Sequence, residues 1–232
     1  MSIRRINAIF EKDIKDLMKN LTMLITMFTP IIIALVLGRV RNGAELTLAM
    51  VYIIVGGTFA VVTTGTIMSM MAEENEKKTL RGLIQSPASL LDIIIGKSLV
   101  TVLATLFTLI VSLLIVGIGP FLDLKAVLGL VLLLLFFLLL GIGFALSAKS
   151  VAGTTAYLMP FTFLFGFTPM IGTLGLLADN SIGLRILDKF PVMQAVQAHD
   201  TSSWMPMGII GIWVLGAAIF TYLCFRKTRM DD

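Results

Sequence analysis

Residues 127–148 read VLGLVLLLLFFLLLGIGFALSA, an apolar run without a single charged side chain. A helix rises about 1.5 Å per residue and roughly 20 apolar residues cross about 30 Å of hydrocarbon, so this run is long enough to span a bilayer. The rest of the chain matches it. Of 232 residues 57% are hydrophobic and only 14% charged, and the mean hydropathy is +0.99. Such a composition belongs to an integral membrane protein, not a water-soluble domain.

Working outward, five further apolar runs can be marked: 21–38, 46–71, 99–118, 154–177 and 204–225. All six are expected to be helices, because an open strand edge in lipid leaves backbone donors and acceptors unpaired at several kcal/mol each. The first run contains Pro30 and the fifth contains Pro160 and Pro169, so these two are expected to be kinked, broken or partly re-entrant. Five to seven spans exhaust a chain of this length, which is therefore read as one domain over 1–232 with no separate soluble domain. The charged opening after Met1 lacks the pattern of a removable signal peptide. A single cysteine, Cys224, leaves no internal disulfide framework and no cysteine-based metal cluster.

The 18 lysines and arginines set the orientation. Thirteen fall before the first span, after the second, after the fourth and after the sixth, against five in the alternate loops. Positive residues favour the cytoplasmic side of short loops. Both termini and the loop between spans two and three are therefore expected in the cytoplasm. The basic residues are dispersed among membrane ends, so the net charge of +4 reports topology and no nucleic-acid partner is expected.

Before the first span, Ile3, Ile6, Phe10, Ile14, Leu17 and Leu21 recur at helical spacing, interleaved with Arg4, Arg5, Glu11, Lys12, Asp13, Lys15, Asp16 and Lys19. One apolar face and a charged back predict a helix over residues 1–20 lying along the membrane surface, with support of a cytoplasmic partner as a further role.

The loop after the second span is unlike membrane filling. Glu73, Glu74 and Glu76 precede Lys77 and Lys78, an order that suits a short helix dipole. The amphipathic piece 80–84 follows, and Ser86-Pro87 is a helix-start signal: the serine caps free amides and proline at the first helical position loses nothing. The helix begun there is expected to run into the third span, with Lys97 at the interface, since a lysine at the bilayer centre costs about 2.5–3.5 kcal/mol. A plain connection needs fewer residues and no Leu80, Leu83 and Ile84.

The ordered set Glu74-Asn75-Glu76, Thr79-Leu80, Leu83, Ser86-Pro87 and Gly96-Lys97 resembles the signature between the second and third spans of ABC type-two transporter permeases. Lys78 stands where that family often carries glycine. The resemblance covers the whole chain, through the amphipathic N-terminal helix, six spans and the longer segment between the fifth and sixth. It implies an all-α membrane fold whose residues 73–92 form a cytoplasmic coupling helix. It also implies two partners: a second permease copy, as a homodimer, and a cytoplasmic ATP-binding subunit contacted by Glu74, Glu76, Thr79, Leu80, Leu83, Ser86 and Pro87. ATP and Mg would be cofactors of that subunit, with none in this chain. By the same resemblance, residues 179–203 dip back as short helices closing the outer side of the pathway. It further implies that the first, second and fifth spans of two copies part or close around the cargo, and that the chain belongs in a bacterial plasma membrane.

The residues themselves agree that ATP is hydrolysed elsewhere. Gly96-Lys97-Ser98 has the tail of a phosphate-binding loop, but Leu91 stands where the earlier glycine is needed. No catalytic residue is expected. None of the six runs contains a carboxylate or histidine, which argues against ion-driven transport. Glu73-Glu74 suggests a membrane protease, yet no intramembrane histidine completes a metal or water site, and the lone His199 reads as incidental. Gly56, Ala60 and Thr64 at four-residue spacing permit close helix approach, as do Gly208, Gly211 and Gly216, with a glycine-lined substrate path as the alternative. The lead function is thus an ATP-driven exporter permease working by alternating access. Its pathway without fixed charges favours a hydrophobic or amphipathic cargo, first a peptide or lipophilic toxin, then other drugs, lipids or ions. A membrane scaffold or sensor that recruits a partner without transport, and a passive channel, are the alternatives.

Overall fold

The computed structural model describes residues 3–40, 46–76, 90–148, 150–175 and 181–230. The described residues form helices and turns, with no strand among them. Helix α1 (Ile3–Lys19) leads into α2 (Leu21–Val40). The second span is one continuous helical rod: α3 (Leu48–Gly57), a π-helical turn (Thr58–Thr64) and α4 (Gly65–Glu76). After the undescribed loop come α5 (Leu90–Val116), α6 (Leu124–Ser147) and α7 (Val151–Phe161). A second π-helical turn (Thr162–Gly166) then joins α7 to α8 (Thr168–Thr173). Two short helices, α9 (Ile182–Leu187) and α10 (Pro191–Asp200), precede the closing α11 (Met205–Met230).

Five helices are long and apolar enough to cross a membrane, so the chain is a multi-pass α-helical membrane protein. They correspond to the first, second, third, fourth and sixth apolar runs. The fifth run is divided. Pro160 closes α7, the backbone widens into a π-helical turn through 162–166, and Pro169 restarts the chain as α8. In contrast, α2 continues through Pro30 as one helix, so the break expected of either run falls in the fifth alone. Polar residues at the joints set where helices begin: Asn20, Thr47, Asp123, Ser150 and Ser181 each accept a hydrogen bond from a free first-turn amide.

The second span is the axle of the bundle. Of its apolar window 72% is buried, against 28% for the first span and 11% for the last. Small residues make that possible. Gly56 lies so close to the Gly166 carbonyl that a side-chain carbon would collide with it, and a Cβ on Gly166 would sit 2.7 Å from that of Ala60. On another side, Gly141 of α6 faces Thr64 and Ile67. The close-packing expectation for Gly56, Ala60 and Thr64 therefore matches the structure. Within the chain, Gly208, Gly211 and Gly216 pack against no other helix: nothing lies within 4 Å of a Cβ built on any of them, because α11 turns that face away from the bundle.

Aromatic rings fill the space between α6, α7 and α11. Phe165 stacks on Phe190 at 4.9 Å and meets Trp213 edge-on at 5.5 Å, while Phe137 stacks on Phe59 of the axle. Helix α10 packs inward with Val192, Ala195 and Ala198, and a Cβ on Gly56 would stand 3.3 Å from the Val192 side chain. The described residues between the fifth and sixth apolar runs thus include two short helices, one of them lodged in the bundle. Along α5, Thr101, Thr105, Thr108 and Ser112 make a buried hydroxyl stripe. Thr105 bonds Thr63 of the axle at 2.9 Å, and Thr108 donates to the Met27 carbonyl of α2.

Candidate functional site

The charges expected at the loop between spans two and three converge at its roots. Helix α4 brings Glu73 and Glu74 down to the loop, and α5 leaves it carrying Asp92 and Lys97. Helix α1 lies across both. Its apolar stripe folds onto α5 instead of facing only outward: Ile6, Ile9 and Leu17 are buried, Phe10 and Ile14 partly so, while Ile3 and Leu21 at the stripe's ends are exposed. Gly96 is the notch that admits it. A Cβ there would stand 2.7 Å from the Ile9 Cγ2 and 3.4 Å from the Ile6 carbonyl.

One turn further along α1, Asp13 occupies the stripe position between Ile9 and Leu17 and is 2% exposed. Its partner is Lys97, 1% exposed. The Lys97 Nζ donates to the Asp13 carboxylate at 3.0 Å and lies 3.1 Å from the Glu74 Oε1. Lys12 bonds the same Glu74 oxygen at 2.8 Å from the outer side, and approaches Asp16 at 3.8 Å. Asn20, at the joint between α1 and α2, donates to Glu73 at 2.8 Å while its own Oδ1 caps α2. Arg5 reaches the fully buried Asp92 at 3.9 Å. Partial burial pulls the Lys12 ammonium down, but the hydrogen bond and charge of Glu74, with Asp13 and Asp16, outweigh it and hold its pKa above the ordinary lysine value. A cavity of about 220 Å³ opens beside this hub, between Asp16, Asn20 and Glu73.

Of the residues expected to contact an ATP-binding subunit, Thr79, Leu80, Leu83, Ser86 and Pro87 lie outside the described residues. Glu76 is exposed at the tip of α4. Glu74 is buried and engaged with Lys12 and Lys97. Lys97, expected at the membrane interface, is enclosed by protein. The hub partners Lys12, Asp13, Asn20 and Asp92 were not singled out by sequence reasoning. A signal did exist for Asp13, an acid standing where the stripe calls for an apolar residue.

His199, expected to be exposed and incidental, is partly buried at the opposite end of the bundle. Its Nε2 lies 2.9 Å from the hydroxyl of Tyr52, a side chain with no exposure, and its ring meets Phe121 edge-on. Burial lowers its pKa; Asp200 and Asp123 oppose that shift and Lys125 adds to it. Nearby, Lys125 donates to the Thr201 carbonyl and leans over Trp204.

No protein-family model and no curated protein matches this chain.

Proposed function

We propose that this chain is the transmembrane permease subunit of an ATP-driven exporter of the ABC type-two kind. It works as a pair of copies with two separate ATP-hydrolysing subunits and moves a hydrophobic or amphipathic cargo by alternating access. The observation that carries the reading is the ordered set from Glu74 to Lys97 between the second and third spans. Its two ends, Glu74 and Gly96-Lys97, meet at one hub, which gives the residues between them a firm base from which to receive a push. In this reading Leu80 and Leu83 fill a groove on the ATP-binding subunit, with Glu76, Thr79, Ser86 and Pro87 around them. Glu74, spent on Lys12 and Lys97, anchors from behind. An apolar groove of about 460 Å³ at the break in the fifth run, lined by Pro160, Phe163, Phe167 and Met170, supports a lipophilic cargo.

The test is co-reconstitution in vesicles with a candidate ATP-hydrolysing subunit from the same genome. ATP-dependent accumulation of a lipophilic peptide is expected, and Leu83→Asp should abolish both ATPase binding and accumulation. Partner binding without accumulation would make the chain a scaffold or sensor. Accumulation without nucleotide would make it a channel.

A further inference from the structure

Lys97 is the only lysine or arginine buried among the described residues. An ammonium withdrawn from water is tolerated only where counter-charges and hydrogen bonds replace its hydration. Its two counter-charges belong to different elements: Asp13 on α1 and Glu74 on α4, with Lys97 itself on α5. Two of these three elements flank residues 77–89 in sequence: α4 ends just before that stretch and α5 begins just after it.

We propose that Lys97 is a positioning residue that fastens the N-terminal helix to the end of α4 and the start of α5, so that these three helix segments move as one unit. Apolar contact alone leaves a helix free to slide along its groove, because the hydrophobic effect is non-directional. The ionic ties remove that freedom. Lys97 holds α1 at Asp13, while the Gly96 notch fixes its depth at Ile9. Asn20 extends the unit to the first span: it caps α2 with one side-chain atom and holds Glu73 with the other. A displacement of the end of α4 therefore reaches the start of α2 through one residue. In the transport reading, on which this use of the movement rests, α1 becomes a second lever turned by the loop instead of a float on the bilayer.

The joint is testable in the full chain alone, in nanodiscs of phosphatidylethanolamine and phosphatidylglycerol. Amide hydrogen exchange is followed in α1 and in α6, with spin labels at Lys15 and Leu91 reporting the distance between α1 and α5. In Lys97→Met, amide protection of α1 is expected to fall by about tenfold or more and the distance distribution to broaden, with α6 unchanged. Lys97→Arg is expected to restore most of the protection. Undiminished protection of α1 in Lys97→Met overturns the proposal, as does an equal loss in α1 and α6, which would mark Lys97 as a general stabiliser. With the ATPase subunit present, ATP should displace the α1 label in the natural chain and leave it in place in Lys97→Met. Failure of any ATPase to bind the natural chain sinks the transport reading, while the exchange result still decides the joint.

Discussion

At the scale of single residues, Gly96 and His199 each stand where one atom decides the outcome. Gly96 faces the Cβ and Cγ2 of Ile9, which is β-branched and stiff, and the carbonyl of Ile6, which cannot move without its helix. Gly96→Val must lift α1 from α5, at about 1–3 kcal/mol for overpacking. A fall in the thermal midpoint with loss of α1 amide protection is the expected result; an unchanged α1 would show that the notch is not needed. His199 carries a pH prediction. Folding lowers its pKa, so between that value and the ordinary 6.5 the unfolded chain holds more protons than the native one. The stability contributed by the neutral ring is complete above pH 6.5 and declines as pH falls below it. The thermal midpoint should drop between pH 7 and 5, and His199→Gln should flatten that slope. An identical slope in the variant would assign the titration to another group.

At the scale of elements, two sets of glycines that look alike in sequence make opposite predictions. Gly56→Ala drives a methyl into the Gly166 backbone and should cost several kcal/mol, the upper range of single substitutions, because neither the axle nor the second π-helical turn can yield. Gly211→Ala meets open space inside a helix and should be neutral or stabilising by up to about 1 kcal/mol. Denaturation in detergent distinguishes them, and equal effects would contradict the packing. The contrast shows what the sequence can disclose. Apolar runs without charge declare a span because lipid admits nothing else, and Pro160 and Pro169 disclose the broken one. The spacing of Ile6, Phe10 and Leu17 declares a helix with a stripe, but periodicity is blind to whether that stripe meets lipid or protein. Asp13 within the stripe was the clue, since a lone carboxylate on an apolar face requires a cation opposite. Nothing local could reveal that cation as Lys97, 84 residues away, or pair Tyr52 with His199 across 147.

At the scale of the whole molecule, the bundle has two unlike ends. One gathers α1, both roots of the 77–89 loop and the end of α11; the other gathers the turn at 117–123 and helices α9 and α10. The first end holds 13 of the 18 lysines and arginines by sequence position. Lysine- and arginine-rich short segments tend to be retained on the cytoplasmic side, so the asymmetry predicts that this end faces the cytoplasm. The hub adds a structural reason. The exposed back of α1, with Arg4, Glu11, Lys15 and Lys19, must stay in water at the same end as the loop whose roots it binds. In a Cys224→Ser background, cysteines placed at Lys15 and Lys227 should resist a membrane-impermeant maleimide in intact cells and react after permeabilisation. A cysteine at Ser202 should react in intact cells. Reaction of Lys15→Cys from outside would put the 77–89 loop beyond the reach of any cytoplasmic ATPase, and the exporter reading would fall with it. Protection of Ser202→Cys together with Lys15→Cys would mean instead that the two ends do not lie on opposite sides of a membrane, contradicting the spans themselves.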